Sequence, residues 1–89
     1  MKWQERRIQV DNRCGVHGRV AARLAELARE GDVSLQIVCT SGTVDCASIL
    51  ELLSMALVRG TEVTVRVRGS RAEAVLDAVQ ELLTRQDDP

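Results

Sequence analysis

Val63, Val65 and Val67 alternate with Glu62, Thr64, Arg66 and Arg68. An apolar residue at every second position is the period of a strand with one face buried. The same alternation predicts a strand over Gln4–Val10, with Ile8 and Val10 on one face, and another through Val33, Leu35, Ile37 and Cys39. Thr40-Ser41-Gly42 forms a tight turn, after which Thr43–Cys46 returns antiparallel with Val44 and Cys46 inward. Elsewhere the spacing changes. From Gly18 to Glu30 the apolar positions Ala21, Leu24, Ala25 and Ala28 recur at three and four residues, flanked by Val20 and Leu27. That is one face of a helix, with Gly18 placed to cap its start and Gly31 to take the left-handed position beyond its end. Ser48-Ile49-Leu50-Glu51 has the spacing of a capping box and opens a short, very apolar helix through Ile49, Leu50, Leu52, Leu53 and Met55, ended by Arg59-Gly60. Ser70-Arg71-Ala72-Glu73 repeats that spacing ahead of Ala72, Val75, Leu76, Val79, Leu82 and Leu83, a third helical stripe. Gln86-Asp87-Asp88-Pro89 is expected to fray.

The order is strand, helix, strand, strand, helix, strand, helix. Strands clean on one face need helices on that face alone. The fold expected is therefore an α/β (α+β) open-faced sandwich, βαββαβα, a four-stranded antiparallel sheet covered on one face by three helices. With neither repeat nor linker, residues 1–89 form a single domain.

Composition narrows the functions available. The formal net charge is −1, with acids and bases interspersed, so the chain has no basic stripe for nucleic acid. Trp3 is its one aromatic, which leaves no stacking platform for single strands. Three cysteines, Cys14, Cys39 and Cys46, are an odd number without framework spacing and are expected as reduced thiols. The charged N-terminus lacks an apolar signal core, and no apolar run reaches spanning length. A cytoplasmic protein without membrane insertion is expected.

Chemistry concentrates at His17, the only histidine, in the run Gly15-Val16-His17-Gly18-Arg19-Val20-Ala21-Ala22. Imidazole is a nucleophile largely neutral near pH 7. At a helix start its neighbours are backbone amides without intrahelical partners, an anion site, and Arg19 adds a guanidinium fork. Gly18, Arg19 and the nearby Cys14 are the candidate phosphate-binding residues. Cys14 and His17 make one Cys-x-x-His pair with no second pair, so no metal site is assigned. No further acid, base or metal constellation supports an independent enzyme.

These residues resemble the active-site motif of the HPr family, the histidine-containing phosphocarriers of the bacterial phosphoenolpyruvate-dependent phosphotransferase system. That motif runs glycine, aliphatic, histidine, small, arginine, proline, alanine. Ser48-Ile49-Leu50-Glu51-Leu52-Leu53-Ser54-Met55-Ala56 is similar to the family's serine-centred second-helix motif, and the two lie in register across nearly the whole chain. Val20 replaces the proline, and Gly18 replaces the usual serine, threonine or alanine, which marks a divergent member. The resemblance implies that Nδ1 of His17 takes a phosphoryl group from enzyme I and passes it to an enzyme IIA domain, with Arg19 assisting and without a cofactor. It implies a monomer, and docking through Val20, Ile49, Leu50 and Leu53, with Leu52 left to the core. Some relatives are phosphorylated at the serine matching Ser48 by an ATP-dependent serine kinase. The residues alone explain Ser48 as a cap, and Glu51 would repel a phosphate there. A second function remains open: a regulatory module of the same descent that acts by docking rather than by passing phosphate to sugar uptake.

Overall fold

The computed structural model describes residues 2–85, so the tail expected over 86–89 lies outside it. The valine alternation places its strand, Glu62–Arg68, at the inside of the sheet. In chain order the elements are β1 (Gln4–Gln9), α1 (Gly18–Glu30), β2 (Ser34–Cys39), β3 (Gly42–Asp45), α2 (Ile49–Ser54), β4 (Glu62–Arg68) and α3 (Ala72–Thr84). The sheet runs β1-β4-β2-β3, antiparallel throughout. Its register sets Ile8 against Val63, Val65 against Ile37 and Val67 against Leu35, so the apolar faces coincide.

All three helices cover that face, giving an open-faced sandwich. α1 buries Val20, Ala21, Leu24, Ala25 and Ala28. α3 buries Ala72, Val75, Leu76, Val79, Leu82 and Leu83, packing on β1, β4 and α1. α2 is too short to bury more than Leu52. The opposite face of the sheet is polar. There Arg66 Nε lies 2.8 Å from Glu5 Oε2, an ion pair too bent for a full hydrogen bond. The Arg66 and Arg68 guanidiniums stand 4.4 and 4.7 Å from the Trp3 ring centre.

Two helix ends depart from the sequence expectation. Gly31 is right-handed at φ −79°, and Asp32 takes the left-handed position at φ +50°. Aspartate tolerates that conformation, whereas a Cβ at residue 31 would stand 3.0 Å from Val75 Cγ2 and 3.1 Å from Leu27 O. The glycine therefore serves the packing of α1 on α3. At α3 the expected capping box is one residue out of register. Arg71 is the N-cap and makes no side-chain cap bond. Ser70 belongs instead to the turn that follows Gly69, itself at φ +155°. At α2 half of the box forms: Ser48 Oγ accepts from the Glu51 amide at 3.3 Å, while the Ser48 amide donates to Asp45 O at 3.0 Å rather than to the Glu51 carboxylate.

Candidate functional site

The segment between β1 and α1 is tied down at three points. The Asp11 amide donates to Leu83 O at 2.8 Å, and Asn12, wholly buried, donates from Nδ2 to Leu82 O at 2.8 Å and Arg85 O at 3.0 Å. The Gly15 amide closes a turn on Asn12 O at 3.0 Å. The Val16 amide then donates to Leu57 O at 2.8 Å, beyond α2. Gly15 has φ +68°, and a Cβ there would stand 2.4 Å from Leu57 O and 2.9 Å from Val58 Cα. Only glycine permits both the turn and that approach.

So held, the chain delivers His17 as the N-cap of α1, with extended backbone at φ −100°, ψ −173°. Gly18, expected as the cap, is instead the first helical residue. The correction matters chemically, because the capping acceptor is the imidazole itself: the Arg19 amide donates to His17 Nδ1 at 3.3 Å. An N–H aimed at Nδ1 requires a lone pair there, which puts the proton of the neutral ring on Nε2. The His17 carbonyl receives the Ala21 amide at 2.9 Å, the first bond of the helix proper. The amides of Gly18 and Arg19 thus precede the helical ladder, and that of Arg19 meets one ring nitrogen.

Helical phase sorts the remaining candidates. Arg19 and Arg23 share the outer face, where Arg23 pairs with Glu26 and Glu30 at 3.3 and 3.2 Å. Val20 shares the inner face with Leu24 and is fully buried. Its expected place on a docking surface is corrected: four residues before Leu24, it falls on the stripe of α1 that enters the core. Cys14 is exposed in the loop before His17. Cys46 sits in the core, and burial, helped by the Asp45 carboxylate, pushes its thiol up to about 12. The three cysteines form no disulfide. Among the described residues no three His, Cys, Asp or Glu side chains cluster as metal ligands do. Nor is any described helix long and apolar enough to cross a membrane.

Ile49, Leu50 and Leu53 stand 39, 81 and 40% exposed along α2. The structure adds Val58, 62% exposed, which the sequence reading missed. Its signal was an apolar residue beside Arg59-Gly60 with no periodic partner. A Cβ at Gly15 would stand 2.9 Å from Val58 Cα, so this residue lies against the loop that leads to His17. A groove of about 380 Å³ lies between α1 and α3, lined by Arg19, Arg23, Leu27, Ala78, Leu82 and Arg85 among others. His17 does not line it and sits half-buried at the surface.

A family model described as "PTS HPr component phosphorylation site" matches residues 4–85. The chain belongs to the HPr family. As a member it is a phosphocarrier of the phosphotransferase system. It is similar to the phosphocarrier protein NPr of Shewanella violacea, 36% identical over 84 residues that span 94% of this chain and 92% of that protein. The phosphocarrier protein HPr of Treponema pallidum is 33% identical over 75 residues, 84% of this chain and 85% of its own. Among solved structures, HPr from Bacillus anthracis superposes with a TM-score of 0.85 at 28% identity, over 93% of this chain and 99% of that one. The open-faced sandwich derived above is thus the HPr fold.

Proposed function

We propose that His17 of this chain accepts a phosphoryl group on Nδ1 from enzyme I and passes it to an enzyme IIA domain, acting as a cytoplasmic monomer. The observation that carries this reading is the Nδ1 lone pair aimed at the Arg19 amide, 3.3 Å away, at the start of α1. In the loading step the Nδ1–P bond forms as the bond from phosphorus to the donor breaks, and the proton on Nε2 stays in place. The Arg19 amide, which meets the lone pair in the unloaded ring, then donates to a phosphoryl oxygen. The Gly18 amide and the Arg19 guanidinium share that charge. Little covalent chemistry is asked of the protein, since such transfers depend on positioning and charge. Cys14, exposed in the loop three residues before His17, lines the phosphate site.

An acceptor at the surface suits transfer between two proteins rather than turnover of a free small substrate. The exposed Ile49, Leu50 and Leu53, extended by Val58, supply the apolar surface on which both partners dock beside the ring. Ser48 serves as a helix cap. A phosphate added by a serine kinase would sit at the start of α2 one turn from Glu51, in a helix too short for the site to be strong.

Incubation with enzyme I and labelled phosphoenolpyruvate tests the reading. Wild type should acquire one acid-labile, alkali-stable phosphate, and His17→Ala none. Label that survives His17→Ala refutes the assignment. Label that reaches no IIA domain would favour the regulatory docking module over the carrier.

A further inference from the structure

Among the described residues Asn12 is the one polar side chain buried in this core, with 0% of its surface exposed. Its two N–H bonds are both spent, on Leu82 O and Arg85 O. Its carbonyl oxygen Oδ1 is buried without a hydrogen-bond partner. Leaving a buried acceptor unpaired is a standing cost. An apolar residue of similar size would avoid it, so what the position uses is the pair of donors. They fall on carbonyls at the end of α3, where helices run out of internal partners. The neighbouring Asp11 amide takes the Leu83 carbonyl in between. Asn12, with the Asp11 amide beside it, thus fastens the end of the last helix to the loop that carries the acceptor. From Asn12 the connection to the ring is short and stiff: Asn12 O closes the turn on the Gly15 amide, Gly15 is fixed against Leu57, and His17 follows as the cap.

We infer that Asn12 is a positioning residue for phosphoryl transfer, one that sets where Nδ1 of His17 stands relative to the Arg19 amide; the inference rests on the carrier function proposed above. Asn12 touches neither the ring nor the phosphate. It acts through the loop, by fixing the point from which the five residues to His17 are laid down. The capping bond at Nδ1 is already long for an N–H···N contact, at 3.3 Å. A small displacement of the loop therefore breaks it, and with it the alignment of lone pair and oxyanion donor. Misplacement by about 1 Å at a reacting centre costs on the order of 100-fold in rate.

Asn12→Asp tests this. It keeps the shape and replaces both donors with an oxygen facing two carbonyls. Two readouts are taken. The first is ¹⁵N–¹H correlation of the His17 ring and the Arg19 amide in the free protein, which needs no partner. Wild type should show Nδ1 unprotonated and a displaced Arg19 amide proton; Asn12→Asp should shift both toward a mixed tautomer and a solvent-exposed amide. The second is steady-state phosphorylation by enzyme I, where kcat should fall roughly 10- to 100-fold with KM unchanged, because the apolar patch on α2 is intact. Val44→Ala, a core truncation on β3 remote from the loop, controls for lost stability and should leave kcat at the wild-type value. If Asn12→Asp does not fold, Asn12→Ser carries the same comparison with a milder loss of donors. Ring and amide resonances that match wild type in a folded Asn12 variant overturn the inference, as does a Val44→Ala variant equally slow at matched stability. If wild type itself takes no phosphate, the carrier function fails, while the resonance comparison still decides whether Asn12 positions the ring.

Discussion

Gly15→Ala probes the strap between the His17 loop and the turn after α2. Two costs add. At φ +68° an alanine pays for the left-handed region, about 1–2 kcal/mol. Its Cβ would also stand 2.4 Å from Leu57 O and 2.9 Å from Val58 Cα. Both are backbone atoms, so no side chain can swing aside, and the loop must lift from the turn. Lifting it stretches the 2.8 Å bond from the Val16 amide to Leu57 O beneath a buried Val16, a further loss of about 1–3 kcal/mol. The sum is about 2–5 kcal/mol, which for a domain of this size lowers the melting temperature by roughly 10–30 °C. Gly18→Ala is the counterpart. No atom lies within 4 Å of a Cβ built there, and the backbone is already helical, so the change should stabilise by about 0.4–1 kcal/mol. Thermal unfolding followed by circular dichroism compares the two directly. A Gly15→Ala variant melting within about 3 °C of wild type would refute the strap, because neither cost could then be present.

The α2 surface separates stability from transfer. Leu52→Ala, at a fully buried site, should cost about 2–5 kcal/mol in denaturant unfolding. Leu50→Ala, 81% exposed, should stay within about 0.5 kcal/mol of wild type yet raise KM for enzyme I and the IIA domain; an unchanged KM removes Leu50 from the docking surface. Ser48→Ala removes the acceptor for the Glu51 amide and should destabilise by about 1 kcal/mol, while Ser48→Asp, also a capping residue, should restore most of it. Cys46 sets an alkaline limit. The folded state holds its proton to about 12, whereas the unfolded chain releases it near the ordinary 9.0. Stability is therefore lost as pH climbs from 9 towards 12, by at most about 1.4 kcal/mol per pH unit, and Cys46→Ala should flatten that slope.

The strands were legible because each has one wet face, so alternation along Glu62–Arg68 or Ser34–Cys39 reports the local environment directly. The histidine at the start of α1, the arginine beside it and the exposed apolar helix were legible for a similar reason: each is a local pattern. What was not legible depended on residues distant in sequence. Gly31 looks like a left-handed glycine until Val75 is seen against it, and Ser70 looks like a cap until Gly69 fixes where α3 begins. Val20 is expected on the docking surface only from the resemblance, whereas four residues before Leu24 it lies on the buried stripe of α1. Asn12 gave no sign at all. An asparagine in a polar loop is the commonest of turn residues, and only the arrival of Leu82 and Arg85 makes it a buried clamp.

That clamp imposes an order in time. Asn12 and Leu82 are separated by 70 positions in the chain. β1, which leads into the loop, pairs only with β4 and so also waits for a late segment. Contacts of such span must meet their loop-closure entropy before they return anything, and they form late. While it is being synthesised, the polypeptide therefore contains the histidine long before it contains the frame around it. Closure of the sheet by β4 and docking of the last helix turn complete the frame together, in one cooperative event. A chain interrupted before α3 therefore carries the imidazole without the assembled loop that holds it.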